Sequence, residues 1–199
     1  MSFKVKRLFL AAKSSSGITD ELTLVQNAVK SAPAFHGLGD LCRWIPKSNF
    51  HLTLHFLGPT ALEKEQQLVP ALARELAECP IAPFSLQFDD LTAFPNWDRA
   101  GVLALACRSV EARAWDLHRR LGDLLKALGF VLETKQWVPH ITLLRLTKPT
   151  HLPTKTGFPQ IPPVHFALDD VSLFQSHHTK KGSQYEALAD FSLAPLLGA

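Results

Sequence analysis

Two short stretches limit what this chain can fold into. They are Phe50-His51-Leu52-Thr53-Leu54-His55-Phe56-Leu57-Gly58 and Pro139-His140-Ile141-Thr142-Leu143-Leu144-Arg145-Leu146. Each sets a histidine, and a threonine two residues later, in an apolar frame. The period of two is that of a β-strand. In the first, strict alternation puts His51, Thr53 and His55 on one face and Leu52, Leu54 and Phe56 on the other. Such a strand has a core face and a face that can do chemistry. Two of them, far apart in the chain, predict two histidines brought together across a cleft.

The same order of elements leads up to each. Strand 7–12, helix 19–30 and strand 51–57 come first; strand 101–107, helix 110–128 and strand 140–146 follow. The order repeats although the letters do not, as an old duplication with a pseudo-two-fold axis would leave it. Two similar lobes would then each give one His-Thr strand to a shared cleft. Local signals set the boundaries. Thr19 reads as the cap of a helix whose buried stripe is Leu22, Val25, Ala28 and Val29. Thr60-Ala61-Leu62-Glu63 fits a capping box for a helix to about Glu78, which Pro70 should kink or interrupt. Ser109 reads as the cap of the helix that Gly129 ends. Leu41–Ile45 is a short strand, Phe84–Phe88 alternates, and late strands fall near 164–168, 170–175 and 184–193. The stretch 147–163 reads as a loop, and so does the exposed segment 176–183 with His177-His178 and Lys180-Lys181.

Composition narrows the class. The chain has 199 residues, 46% of them hydrophobic, enough for a sizeable core in one two-lobed domain spanning 1–199. Mean hydropathy is near zero and no apolar run is long enough to cross a bilayer, which points to a soluble, cytoplasmic protein with no membrane partner. The charged start Lys4-Val5-Lys6-Arg7 precedes an apolar run that Lys13 ends, so it reads as a strand rather than a signal peptide. Cys42, Cys79 and Cys107 are odd in number and scattered; they make no disulfide framework or metal motif and read as buried or half-buried. A net charge of +3 suits an anionic substrate without advertising a broad nucleic-acid surface.

Histidine is the side chain best suited to moving protons near neutral pH. One ring of a facing pair can take a proton from a nucleophile while the other gives one to a leaving group. In-line displacement at phosphorus needs that opposed placement. Threonine hydroxyls one pleat along can hydrogen-bond the equatorial oxygens, where charge develops. This chemistry requires no metal or other cofactor.

Arg43-Trp44-Ile45-Pro46 followed by the first His-Thr stretch, and Pro139 to Arg145 later, resemble the two-histidine phosphoesterases. Within them the chain resembles the RNA 2′,3′-cyclic phosphodiesterases, the bacterial and archaeal 2′-5′ RNA ligase family. Arg7–Ala11, Ala93-Phe94-Pro95, Leu173–Ser176 and Tyr185–Leu188 are similar to that family's opening strand, mid-chain loop and closing strands, so nearly the whole chain is covered. The resemblance implies an α+β fold of two pseudo-symmetric lobes, each an antiparallel sheet with outer helices, around a central cleft. It implies hydrolysis of a 2′,3′-cyclic phosphate on RNA ends or nucleotides to a 2′-phosphate, and in reverse a 2′-5′ ligation. His51 would donate the proton to the leaving 3′ oxygen, His140 would activate water, and Thr53, Thr142 and Arg145 would hold the phosphate. Strict alternation, however, places Arg145 opposite His140 and Thr142; it reaches the cleft only if the strand bulges or ends between them.

Other residues carry weaker signals. Phe9 either points into the cleft to stack on a base or packs in the core. His55 shares the face of His51 but lacks the Glu and the helix of a zinc motif. His36, His118, His151 and His165 read as surface residues, and Trp115 as packing on its helix. Lys47, Arg99, Lys135 and Lys148 either flank an RNA path or are simply solvated. The protein is expected to be a monomer. The competing functions are a non-catalytic RNA-end binder and an esterase for a small nucleotide such as ADP-ribose 1″,2″-cyclic phosphate.

Overall fold

A computed structural model describes residues 5–179 and 182–194. The Lys180-Lys181 pair and the first four residues lie outside the described residues. The fold is α+β. Its strands are β1 (Val5–Lys13), β2 (Cys42–Trp44), β3 (His51–Ala61), β4 (Phe84–Phe88), β5 (Asp90–Phe94), β6 (Ala100–Ala106), β7 (His140–Thr150), β8 (Val164–Leu168), β9 (Asp170–Thr179) and β10 (Gly182–Ser192). Its helices are α1 (Ser16–Lys30), α2 (Leu62–Glu78) and α3 (Ala112–Ala127). No helix among the described residues is long and apolar enough to cross a membrane.

The two lobes are two four-stranded sheets, ordered β10-β9-β1-β3 and β2-β7-β6-β5. Their pairs are antiparallel throughout. The repeat seen in the sequence is visible in the pairing. β1 lies beside β3 as β6 lies beside β7. The third strand of each sheet is exchanged: β9, from the second half of the chain, pairs with β1, and β5, from the first half, pairs with β6. The strands just before the exchanged pair, β4 and β8, meet each other antiparallel, with Leu86 opposite Phe166 at the centre. That small sheet ties the lobes with buried side chains: Phe84, Leu86, Phe88, Val164, Phe166 and Leu168 all belong to the main core.

The helices differ from expectation in detail. α1 starts at Ser16 with Ser15 as its cap, its hydroxyl accepting from the Ile18 N–H at 3.4 Å. Thr19, the expected cap, sits in the first turn and donates instead to the Ser15 carbonyl at 2.8 Å. The Thr60–Glu63 capping box does not form, because Thr60 and Ala61 still belong to β3 and Ala61 caps α2 without a side-chain bond. α2 runs on through Pro70, which lies on its exposed face. The carbonyl it leaves without a donor, that of exposed Gln66, can turn to water. Glu111, not Ser109, caps α3. Gly129 follows α3 with φ of +75°, the left-handed conformation a glycine adopts without strain.

The expected loop 176–183 is corrected to a hairpin: β9 extends to Thr179 and pairs with β10 from Gly182 onward. Polar side chains there do not preclude strands, since this hairpin lies at the sheet's edge with both faces open to polar surroundings. The three cysteines are free; Cys107 is buried and Cys42 half-buried, but Cys79 is exposed at the end of α2.

Candidate active site

Both His-Thr strands break the alternation at the same point. Along β3 the order from His51 is half-buried, buried, half-buried, buried, buried, exposed, buried, and along β7 from His140 it is the same. The cause is a bulge in each. Leu10 pairs with His55 and Ala11 with Thr53, so Leu54 is extra. Leu103 pairs with Leu144 and Ala104 with Thr142, so Leu143 is extra. Beyond the bulge the faces change places. Arg145 is thereby exposed on the side of His140 and Thr142. In β3 the same shift turns His55 inward, to 9% exposure, and Phe56 outward, to 51%. The expectation that His55 shares the face of His51 is corrected by that bulge.

Each bulge is held by a helix from the other half of the chain. The Gln26 amide on α1 donates to the Leu143 carbonyl at 2.8 Å and to that of Ile45 at 2.9 Å. The His118 ring on α3 hydrogen-bonds the Leu54 carbonyl. His55 Nε2 donates back to the His118 carbonyl at 2.8 Å, and Trp137 Nε1 donates to the Thr53 carbonyl at 3.0 Å. The rings of His55, His118 and Trp137 stack in succession, with centroids 4.1 and 4.4 Å apart. Gly122 makes room for this: a Cβ there would lie 3.2 Å from His55 Cε1. His118 is therefore not the surface residue expected. Trp115 closes the stack edge-on to Trp137 at 5.4 Å while remaining partly exposed.

The two histidines are set alike. His51 Nδ1 lies 2.7 Å from the Asn49 carbonyl, and His140 Nδ1 lies 2.7 Å from the Val138 carbonyl. A carbonyl can only accept, so in each ring Nδ1 carries the proton and Nε2 is left to exchange one. Burial pushes His51 down to about 4 against the pull of the Asn49 carbonyl, and the charges of Arg145 and His140 push the same way. Burial also lowers His140, opposed by the Val138 carbonyl and helped by Arg145. The guanidinium thus acts on both rings. An anion bound among the three would oppose both shifts.

Aromatic rings fix the histidines from behind. Phe9 is 3% exposed, stacks on Phe174 at 5.1 Å and stands 5.3 Å from the His51 ring. Tyr185 meets His51 edge-on at 5.1 Å. Phe94 stands 4.8 Å from the ring of His140. Two cavities open on the site. One, of about 860 Å³, is lined by His51, Phe9, Arg145, Tyr185, Arg7 and Lys64 among others. The other, of about 410 Å³, is lined by His140, Thr53, Phe94 and Trp137 among others. Phe56 and Glu133 line both. Thr142 lines neither, although it is half-buried beside His140 on the same side of β7. Of the four cations considered from sequence, Lys135 lines the smaller cavity and Lys47 lines a third hollow beside His51. Arg99 and Lys148 line neither of the two main cavities. Among the described residues no group of three or more His, Cys, Asp or Glu side chains is placed to hold a metal ion.

The family model described as the 2′-5′ RNA ligase superfamily matches residues 15–180. The chain belongs to that superfamily. Among curated relatives, an RNA 2′,3′-cyclic phosphodiesterase of Geobacillus stearothermophilus is 30% identical over 159 residues, which are 78% of this chain but only 48% of that protein. One of Aquifex aeolicus is 24% identical over 194 residues, 96% of this chain and 98% of that protein. Among solved structures, E. coli LigT complexed with 3′-AMP superposes with a TM-score of 0.75 at 26% identity, over 96% of this chain and 100% of that one.

Within the superfamily frame, the sequence pointed to His51, His140, Thr53, Thr142 and Arg145, and all five lie along the two bulged strands. Sequence reasoning passed over Phe56, Tyr185, Trp137 and Gln26. Phe56 was legible in principle: it stands five residues after His51, as Arg145 stands five after His140, so a bulge inferred for one strand implies the other. Gln26 carries no such signal, because its partners belong to segments remote in the chain.

Proposed function

We propose that this protein is an RNA 2′,3′-cyclic phosphodiesterase that opens cyclic phosphate ends to 2′-phosphates by two-histidine acid/base catalysis without a metal. The observation that carries the reading is the matched pair of rings, each with Nδ1 tied to the carbonyl two residues back and Nε2 free, under the charge of one arginine. The names of the relatives from Geobacillus and Aquifex support the substrate class. In this reading His140 Nε2 takes a proton from water as its oxygen attacks phosphorus. The P–O3′ bond breaks, and His51 Nε2–H gives its proton to the departing oxygen. Thr53 and Thr142 hydroxyls and the Arg145 guanidinium hold the other phosphoryl oxygens, where charge grows. Phe9, being buried, supports the ring of His51 from below, and Tyr185 presents an edge at the rim of the same cavity. The two lobes work as one unit, in a cytoplasmic monomer acting on RNA ends or nucleotides bearing a 2′,3′-cyclic phosphate.

The test is an oligonucleotide with a 2′,3′-cyclic phosphate end, incubated with the purified protein and a chelator. The expected product carries a 2′-phosphate. His51→Ala and His140→Ala should each lower the rate by roughly 10²–10⁴-fold, the usual worth of one general acid or base. Undiminished turnover by the double variant would sink the assignment.

A further inference from the structure

Lys47 lines a hollow of about 370 Å³ that the two-histidine chemistry does not use. The hollow adjoins the larger cavity, because His51 and Tyr185 line both. It is therefore reached from the His51 ring without crossing the cleft to His140. Its volume is that of a small-ligand site. Among the described residues that line it are two lysines, Lys13 and Lys47, and no carboxylate.

The two lysines are placed differently. Lys13 is already held, by Asp190 at 2.5 Å. Lys47 has neither an ion pair nor a side-chain hydrogen bond among the described residues, and the same is true of the Ser48 hydroxyl next to it. Both side chains are exposed on the single helical turn Lys47–Asn49. That turn is fixed at its far end. The Asn49 carbonyl accepts from His51 Nδ1 at 2.7 Å, and the Asn49 amide donates to the Ser183 carbonyl on β10 at 2.7 Å. An uncommitted ammonium and hydroxyl thus stand on the same short turn that anchors the ring of His51.

The chemistry at His51 says what could reach them. The leaving O3′ belongs to the ribose of the terminal nucleoside. Only C3′, C4′ and C5′ separate O3′ from O5′, so a group on O5′ lies within one sugar's breadth of the ring. In an RNA chain that group is the last phosphodiester, a single negative charge. Lysine and serine side chains are ordinary partners of such a phosphate. We propose that the hollow beside His51 is a phosphate subsite, in which Lys47 and the Ser48 hydroxyl hold the phosphodiester on O5′ of the terminal nucleoside. The inference rests on the phosphodiesterase reading above. Lys47 takes no part in bond breaking; it distinguishes the end of an RNA chain from a free cyclic nucleotide.

The experiment compares two donors, each a nucleoside 2′,3′-cyclic phosphate. One has a free 5′-hydroxyl. The other carries a methyl phosphate diester on O5′, which has the charge of an internucleotide linkage and no second base. Wild-type protein should favour the second by about tenfold in kcat/KM, the lower end of what one hydrogen bond to a charged group gives. Lys47→Ala should bring that ratio close to one while leaving the 5′-hydroxyl donor at its wild-type rate, and Lys47→Arg should keep most of the preference. Equal kcat/KM for the two donors in wild-type protein would overturn the subsite. So would a Lys47→Ala protein that keeps the wild-type ratio, and so would one that slows both donors alike, since Lys47 would then only support the turn under His51. Failure of wild-type protein to hydrolyse either donor would instead refute the phosphodiesterase reading on which the subsite depends.

Discussion

The pH dependence of turnover is the sharpest consequence of how the two rings are buried. In the proposed mechanism the competent protein carries one proton on the pair, placed on His51. Burial and the charge of Arg145 depress both rings, His51 to about 4 and His140 below its usual 6.5. Because each ring feels the other, the pair titrates in two macroscopic steps. Both steps lie below 6.5, so above that pH the competent fraction of free protein falls tenfold per unit. The value of kcat/KM reports free protein, so from pH 6.5 to 8 it should drop about thirtyfold. The value of kcat should resist longer, because a bound phosphate anion favours the charged rings and raises both. Arg145→Gln separates two opposing effects. Loss of the guanidinium lets both rings rise, which moves the limb to higher pH. Loss of its contact with the phosphoryl oxygens costs roughly 10²–10³ in rate, by analogy with a deleted oxyanion donor. The second effect is larger, so the variant is slower at every pH with its limb displaced upward. The assay is initial-rate hydrolysis of a cyclic-phosphate oligonucleotide between pH 5 and 9. A kcat/KM that is flat from 6.5 to 8.5, or a limb that moves to lower pH in Arg145→Gln, would refute the reasoning.

Three further outcomes are expected. The folded state resists protonation of His51, His55, His118 and His140, whereas the unfolded chain accepts those protons near 6.5. Stability is therefore full above 6.5 and is lost as pH falls toward the depressed values, by up to about 1.4 kcal/mol per pH unit for each ring. Thermal unfolding at pH 7.5 and 5 reads this, and His118→Phe, which keeps a ring in the stack, should show a shallower loss. Gln26→Leu takes the side-chain donor from the Ile45 carbonyl and leaves the Leu143 carbonyl with the Ile45 N–H alone, which should cost about 1–3 kcal/mol in denaturant unfolding. It should also lower kcat, since Arg145 lies just past that bulge; a stable variant with normal kcat would show that α1 does not position it. Trp137→Phe removes the hydrogen bond to the Thr53 carbonyl, worth about 0.5–1.5 kcal/mol. It should slow turnover more than it changes Tm, and an equal loss in both would mean the bond only stabilises.

Periodicity makes much of the candidate site legible in the sequence, because its histidine and threonine pairs are local to two strands. His51 with Thr53, and His140 with Thr142, lie before the bulge, where alternation holds. Arg145, His55 and Phe56 lie after it, where strict alternation assigns each to the wrong side. A bulge is not written in the letters around it. Leu54 and Leu143 are ordinary strand residues, and the groups that hold their carbonyls come from α3 and α1, in the opposite half of the chain. The exchange of β5 and β9 between sheets is hidden for the same reason: local pattern identifies a strand but not its neighbour. His118 shows the limit most clearly. On its helix it reads as one more polar side chain, and only the fold reveals it lying between His55 and Trp137.

These hidden contacts share a purpose in the geometry. If the lobes were two independent copies, each helix would brace the strand of its own repeat, and the lobes could drift apart without loss to either. Instead α1 holds the bulge of β7 and α3 holds that of β3. The bulge in each His-Thr strand is therefore braced by contacts from the other half of the chain. The exchanged strands β5 and β9 and the β4–β8 pair impose the same dependence. Two-histidine chemistry needs that coupling, because it works only with both Nε2 atoms held on opposite sides of one phosphorus. A duplicated unit that kept its strands and helices to itself would have supplied the two rings but not the fixed separation between them.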